Sequence, residues 1–328
     1  MGYNKERYVF LKNVAYHMAV GVWYIVSLLP FWVLHRVSDV LFVLIYHGVG
    51  YRKKVVRDNL ATSFPEKTAE ERLTIERDFY HFLCDYLLES IKMMSISPKE
   101  QKKHMIFENT DLLDACWEQG RTCGIFMGHY CNYEWVASLP LWVSKKGQVS
   151  TIYHPLENQV ADRLFLRTRQ HFGTVCFAMQ DTLRKVLEYH KKGQPLIIGY
   201  ISDQKPYWTS IHHWVDFLNH DTPVLTGTER VMRKMDQAVF YLDMRRTGRS
   251  RYVGTFKPIT MEPKKMREFE LTDIYHQMLE ESIRRDPAPW LWSHKRWSRT
   301  REEFNRLYEV VDGKVILRPT PASSEVRS

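Results

Sequence analysis

The sequence predicts an α/β fold: a mixed, mostly parallel sheet flanked by helices, with an N-terminal hydrophobic helical segment that anchors it to a membrane. Two patterns lead there. Near the N-terminus lies a stretch without a formal charge. Further on, short apolar runs of strand length alternate with amphipathic stretches of helix length, the pattern of strand-helix-strand units.

The apolar stretch, Val14 to Leu34, contains no Asp, Glu, Lys or Arg, and a bilayer core takes about 20 helical residues to cross. His17 lies inside it, Pro30 kinks a helix, and a second apolar stretch, Val40 to Tyr51, follows a short polar break. The pair reads as a spanning helix, as a spanning helix plus an interfacial one, or as a hairpin. Lys5, Arg7 and Lys12 precede the first run, and Arg52, Lys53, Lys54 and Arg57 follow the second. The positive-inside tendency therefore puts the bulk of the chain in the cytoplasm. The run is too long for a signal peptide and lacks a small-residue cleavage site. Residues 1–50 are expected to form the anchor or interfacial helices and 51–315 a cytoplasm-facing domain. Residues 316–328, with Pro319, Pro321, Ser323 and Ser324, are expected to be a disordered tail.

Residues 65–103 are rich in helix formers, with Pro65 in an early turn and Leu73, Phe79, Phe82, Leu87 and Ile91 sharing much of one face. The runs 122–128, 149–154, 174–179 and 195–202 are strand-like, and 158–171 and 181–192 are amphipathic. Residues 238–246 and 250–259 flank the turn-like Thr247-Gly248-Arg249 and predict a hairpin. A helix over 268–285 precedes PAPWLWSHKRW.

With 44% hydrophobic and 26% charged residues the chain is globular rather than disordered. A net charge of +9 calls for an anionic partner. No nucleic-acid module accompanies the charge, so anionic lipid or an acidic protein is expected instead. The five cysteines, Cys84, Cys116, Cys123, Cys131 and Cys176, form no CxxC pair. That argues against a disulfide framework and a zinc ribbon, and fits a reducing compartment. His212, His213 and His220 lack a Cys or carboxylate at ligand spacing, so no metal and no cofactor is expected.

The segment Gly124 to Glu134, GIFMGHYCNYE, carries the chemistry. An apolar strand-like run stops at Gly128 and delivers His129 and Glu134. Five residues apart on one helix the two would point about 140° away from each other, so contact needs His129 in a turn before the helix, which Gly128 eases. A carboxylate on one ring nitrogen fixes the tautomer and leaves the other nitrogen free to take a proton from an alcohol. That is a base and its orienter without a serine of their own. The hydroxyl of the substrate is then the nucleophile.

GIFMGHYCNYEW, YHPLENQVADRLFLRTRQHFG, KKGQPLIIGYISDQ and WLWSHKRW, in that order, together with Arg57-Asp58-Asn59-Leu60 and Phe64-Pro65, resemble the late acyltransferases of lipid A biosynthesis, within the wider glycerophospholipid acyltransferase superfamily. The resemblance runs from about residue 15 to 310. It implies a fatty-acyl chain moved from an acyl carrier protein thioester to a hydroxyl of a lipid A precursor, at the cytoplasmic face of the inner membrane. It also implies His129 and Glu134 as a catalytic dyad, with Asn158, Arg169 and Asp203 at positions that bind substrate. A guanidinium at Arg169 suits a phosphate of an anionic glycolipid or a developing oxyanion, and Arg167 is an equal candidate by spacing. Gln159, where relatives often carry proline, and the aromatic loop 205–214 depart from the family pattern and bear on acceptor identity. Transfer to an aminolipid or lysophospholipid hydroxyl, thioester hydrolysis, and non-catalytic lipid binding are the competing functions. The cations between Arg245 and Arg267 are expected to face lipid head groups or the acidic carrier.

Overall fold

A computed structural model describes the backbone of residues 2–318 and the side chains of 13–318. The chain opens with α1 (Gly2–Leu28), breaks at Pro30, and continues through α2 (Phe31–Phe42) into a π-helical turn, Val43–Val49, that Gly50 ends in the left-handed conformation. Then come α3 (Lys53–Ser63) and α4 (Ala69–Lys92). Thr68 and Glu71 close a reciprocal capping box at the start of α4 (2.7 and 3.2 Å), so this helix starts later than Pro65. A separate short helix, α5 (Pro98–His104), completes the stretch expected as helix.

A seven-stranded sheet follows. Its strands are β1 (Met105–Glu108), β2 (Cys123–Met127), β3 (Gln148–Tyr153), β4 (Val175–Ala178), β5 (Leu196–Ile201), β8 (Ala238–Gly248) and β9 (Arg251–Thr260). β6 (His213–Phe217) and β7 (His220–Val224) form a separate hairpin. The order across the sheet is β1-β9-β8-β2-β5-β3-β4, and every pairing is parallel except β8 with β9. The four strand-like runs and the hairpin read from the sequence are all present. The central strand β2 is buried along its whole length, as expected of a parallel strand covered on both faces.

The helices α6 (Thr110–Glu118), α7 (Gln159–Arg169), α8 (Thr182–Lys191), α9 (Gly227–Lys234) and α10 (Glu270–Arg285) connect or cover these strands. Last come α11 (Arg301–Leu307) and a small hairpin of β10 (Tyr308–Val311) and β11 (Lys314–Leu317). Val315 of β11 packs with Ile211 and Phe304 in a satellite cluster. The expected tail therefore begins inside a strand, and its residues 319–328 lie outside the described ones.

The N-terminal helices lie along the domain. At one end of the apolar part of α1, Arg163 of α7 donates to Asn13 (3.2 Å) and covers the Tyr16 ring. At the other end, Lys92 Nζ donates to the carbonyls of Ser27 (2.8 Å) and Leu29 (2.9 Å). Asn13 and Ser27 are about 21 Å apart along a helix, so both ends of this stretch are held by the domain. The helix Phe31–Val49 has 19 residues and is long and apolar enough to cross a membrane. Its middle is nevertheless clamped: Arg249, in the β8–β9 turn, donates to Asp85 and to Asp39 (2.7 Å each), Ser38 donates to Asp85 (2.6 Å), and His35 pairs with Ser250 (2.8 Å). Leu34, Ser38, Phe42 and Tyr46 form its buried side. Trp32, Val40, Val43 and Leu44 are exposed, as are Met18, Val22 and Ile25 of α1. Met18, Val22 and Ile25 recur at four- and three-residue spacing, and Val43 and Leu44 stand three and four residues after Val40, with the exposed Arg36 between Val40 and Trp32. The basic flank Lys5, Arg7 and Lys12 falls among residues whose side chains are not described.

Candidate active site

The site is built where two neighbouring parallel strands end. β2 and β5 pair with Met127 opposite Ile201, and two residues beyond each of these stand His129 and Asp203. Ligand sites form outside the carboxyl ends of parallel strands, and here the register sets a histidine beside a carboxylate. His129 Nδ1 lies 2.6 Å from Asp203 Oδ1, and the His129 backbone N–H donates to Oδ2 at 2.8 Å. The indole N–H of Trp290 donates to the same Oδ2 at 3.0 Å. Burial by itself raises the carboxyl of Asp203, but the charge of His129 and these three hydrogen bonds outweigh it and hold the group well below the usual carboxylate range. Asp203 is buried, while the His129 side chain keeps 17% of its surface open.

With Nδ1–H donating to Asp203, Nε2 carries the lone pair, and the Gln204 amide nitrogen donates to it at 3.2 Å. The ring of Tyr133 meets the imidazole edge-on, with centroids 4.9 Å apart. The turn is fixed from behind. Tyr130 bridges to Trp290, Cys131 N–H donates to the Pro289 carbonyl (2.9 Å), and Cys131 takes the left-handed conformation (φ 53°). Gly128 is needed for a different reason than its φ. A Cβ there would come within 2.6 Å of Leu279 on α10, so its absence lets that helix approach the strand end.

No hydrogen bond joins His129 to Glu134. Glu134 stands in the first turn of a 3-10 helix, Tyr133–Leu141, and is claimed by Arg169, whose Nε and Nη2 donate to its two oxygens at 2.7 and 2.6 Å. The pair is forked and largely enclosed. Burial pulls the Arg169 guanidinium down, but the hydrogen bonds and charge of Glu134 more than compensate and raise it above its ordinary value. Arg169, which the sequence offers to a phosphate or a developing oxyanion, is here paired with Glu134. Asn132 caps this turn, accepting from Trp135 N–H (3.1 Å) and donating to the buried Glu89 (2.7 Å).

His129, Glu134, Arg169 and Gln204 line one cavity of about 860 Å³. Its surface is more apolar than polar, with Ile125, Leu139, Val149, Ile152, Leu183 and Ile197 among its walls, and its size is that of a small-molecule site. Exposed Leu156, Met179 and Tyr207 also line it and mark its opening. Asn158 and Arg167 do not line it. Asn158 caps α7, accepting from Val160 and Ala161 N–H (3.0 and 3.2 Å), and Arg167 is exposed on that helix. Sequence reasoning missed Gln204 and Trp290 as neighbours of the base. The signal was present in both motifs, ISDQ directly after an apolar strand and WLW near the end of the homologous region.

Comparison with known proteins gives the family. The family model for bacterial lipid A biosynthesis acyltransferases matches residues 3–299. A lipid A biosynthesis acyltransferase of Haemophilus influenzae is 21% identical over 232 residues, covering 70% of this chain and 71% of that protein. A strand-end histidine with its carboxylate, opening on an apolar cavity, sits inside the matched region, and the chain belongs to the bacterial lipid A biosynthesis acyltransferase family.

Proposed function

We propose that the protein transfers a fatty-acyl chain from an acyl carrier protein thioester to a hydroxyl of a lipid A precursor, at the cytoplasmic face of the inner membrane. The observation that carries this is the placing of an imidazole, oriented by a carboxylate, on the wall of an apolar cavity of acyl-chain dimensions. His129 Nε2 takes the proton of the acceptor hydroxyl as its oxygen attacks the thioester carbonyl. The tetrahedral oxyanion then collapses, the C–S bond breaks, and the departing thiolate receives that proton from Nε2. Asp203 positions the imidazole and stabilises its protonated form, a part expected of Glu134 on sequence grounds. The Gln204 amide, vacating Nε2 when the hydroxyl arrives, donates to the oxyanion. Glu134 and Arg169 act as one fixed ion pair on the cavity wall. Residues 51–315 form the catalytic domain, and residues 1–50 its membrane attachment.

That attachment runs along the bilayer surface. Both apolar helices are held against the domain by charged side chains, and their outward rows, Met18, Val22 and Ile25 with Trp32, Val40 and Leu44, suit the depth of the head-group boundary. Incubating the protein with acyl-carrier thioester, with and without lipid A precursor, tests the function by mass spectrometry of the products. Ester formation only when the acceptor is present supports it. Free fatty acid without acceptor would make the protein a thioesterase, and an unchanged thioester would leave lipid binding.

A further inference from the structure

The cations of the β8–β9 region are mostly neutralised in the fold. Arg245, Arg249, Lys257, Lys264, Lys265 and Arg267 each stand within ion-pair distance of a carboxylate. A second set, gathered from three distant parts of the chain, has no such partner. Arg52 precedes α3, Lys205 follows β5, and Lys295 and Arg299 lie in the segment before α11. None of these four pairs with a carboxylate among the described residues. Arg52 Nη1 donates to the Ser293 carbonyl (3.0 Å), Lys205 Nζ to Ser298 Oγ (2.6 Å), and the Arg299 guanidinium lies over the rings of Tyr207 (5.9 Å) and Trp208 (5.3 Å).

The segments that carry these groups adjoin: the Lys205 backbone N–H also donates to His294 Nε2 at 3.4 Å. Burial and then the positive charges of Arg299, Lys295, Arg296 and Arg52 pull the Lys205 ammonium below its ordinary value. Beside them Arg296 is fully buried. Its Nη2 donates to the Pro223 carbonyl (2.9 Å), while Nε and Nη1 have no partner. The charge of the Asp203 carboxylate opposes the burial of this guanidinium, and only its hydrogen-bond donors are left idle. Lys205 and Tyr207 also line the His129 cavity, so the cluster borders its opening.

We propose that Arg52, Lys205, Lys295 and Arg299 form a phosphate-binding site at the rim of the His129 cavity. Two guanidinium and two ammonium groups come from segments that meet through Ser293, Ser298 and the Tyr207 ring, and they offer a tetrahedral dianion charged donors. Two sources can present a phosphate there, the head group of the lipid acceptor or the phosphodiester of the carrier's thiol-bearing arm. The inference rests on the proposed transfer for the identity of its ligand, but not for the existence of the site.

Equilibrium binding without turnover tests it. The probes are a phosphorylated lipid A precursor and its dephosphorylated form in detergent micelles, then an acyl-phosphopantetheine and an acyl-pantetheine. The wild-type protein is expected to prefer the phosphorylated member of one pair by about tenfold or more, the scale of a charge-assisted contact. Lys205→Gln and Arg299→Gln should each erase most of that preference, while affinity for the phosphate-free member stays within about threefold and certifies the fold. The pair that shows the preference identifies the source of the phosphate. Equal affinity for both members of both pairs would overturn the site. A phosphate preference in a protein that transfers no acyl chain would sink the proposed function and leave the site standing.

Discussion

The floor and the rim of the cavity treat charge in opposite ways. On the floor each ionic group has a partner: His129 has Asp203, Glu134 has Arg169, and Trp290 completes the set. At the rim stand four cations, from adjoining segments, that form no ion pair with a carboxylate among the described residues. A paired charge is pre-oriented and stays in place during a proton transfer. An unpaired cation instead stores an attraction that is released only when an anion binds. The contrast assigns chemistry to the strand ends and recognition to the rim, and substitutions in the two regions should fail in different ways.

The largest effect is expected at the floor. His129→Ala should lower kcat by about 10²-fold or more with little change in KM, the scale of a lost general base, measured by acyl transfer from carrier thioester. Near-normal turnover would remove His129 from the mechanism. Arg169→Ala should act through stability, because it strands the Glu134 carboxylate. A loss of about 3–5 kcal/mol is expected in urea unfolding, with much of it restored by adding Glu134→Gln. A variant of unchanged stability that selectively loses phosphorylated acceptor would move Arg169 to the recognition side.

The N-terminal helices offer a smaller test. Val22→Asp puts a charge on an exposed apolar row and should weaken partition onto phosphatidylethanolamine–phosphatidylglycerol vesicles by about tenfold, without altering thermal stability. An epitope at residue 1 and another at residue 328 should be digested together in inverted inner-membrane vesicles. Protection of the first alone would mean that the segment crosses the bilayer.

The smallest effect concerns support from behind. Burial raises the Glu89 carboxyl to about 7, against hydrogen bonds from Ser250, Asn132 and Tyr252. The folded value lies above the unfolded one of about 4.3. The folded state therefore binds the extra proton, and stability present at low pH is lost as pH rises through about 7. Glu89→Gln, which cannot ionise, should show a flatter urea midpoint between about pH 5 and pH 8. An equally steep fall in the variant would assign the pH dependence elsewhere.

Much of this architecture is legible in the sequence because parallel strands buried on both faces read as plain apolar runs. β2, β3, β4, β5 and the β8–β9 hairpin fall where such runs stand. The β6–β7 hairpin was hidden because its turn is Leu218-Asn219, both at positive φ (51° and 64°), where a glycine signal is normally expected. His129 was visible from its motif, but its partner was not. Glu134 is five residues away and Asp203 is seventy-four, and the pairing of β2 with β5 makes the distant carboxylate the near one. The rim cluster was invisible for the same reason. Its cations come from residues 52, 205, 295 and 299, whereas the visibly basic stretch is spent on internal ion pairs.

The central claim, that Asp203 and His129 act as one unit, is tested most directly by a double-mutant cycle on kcat/KM. Asp203→Asn should approach the loss of His129→Ala. The double variant should then be no worse than His129→Ala alone, within about threefold, because groups acting together are strongly non-additive. Losses that multiply, or an Asp203→Asn enzyme of near-normal activity beside a crippled Glu134→Gln enzyme, would contradict it.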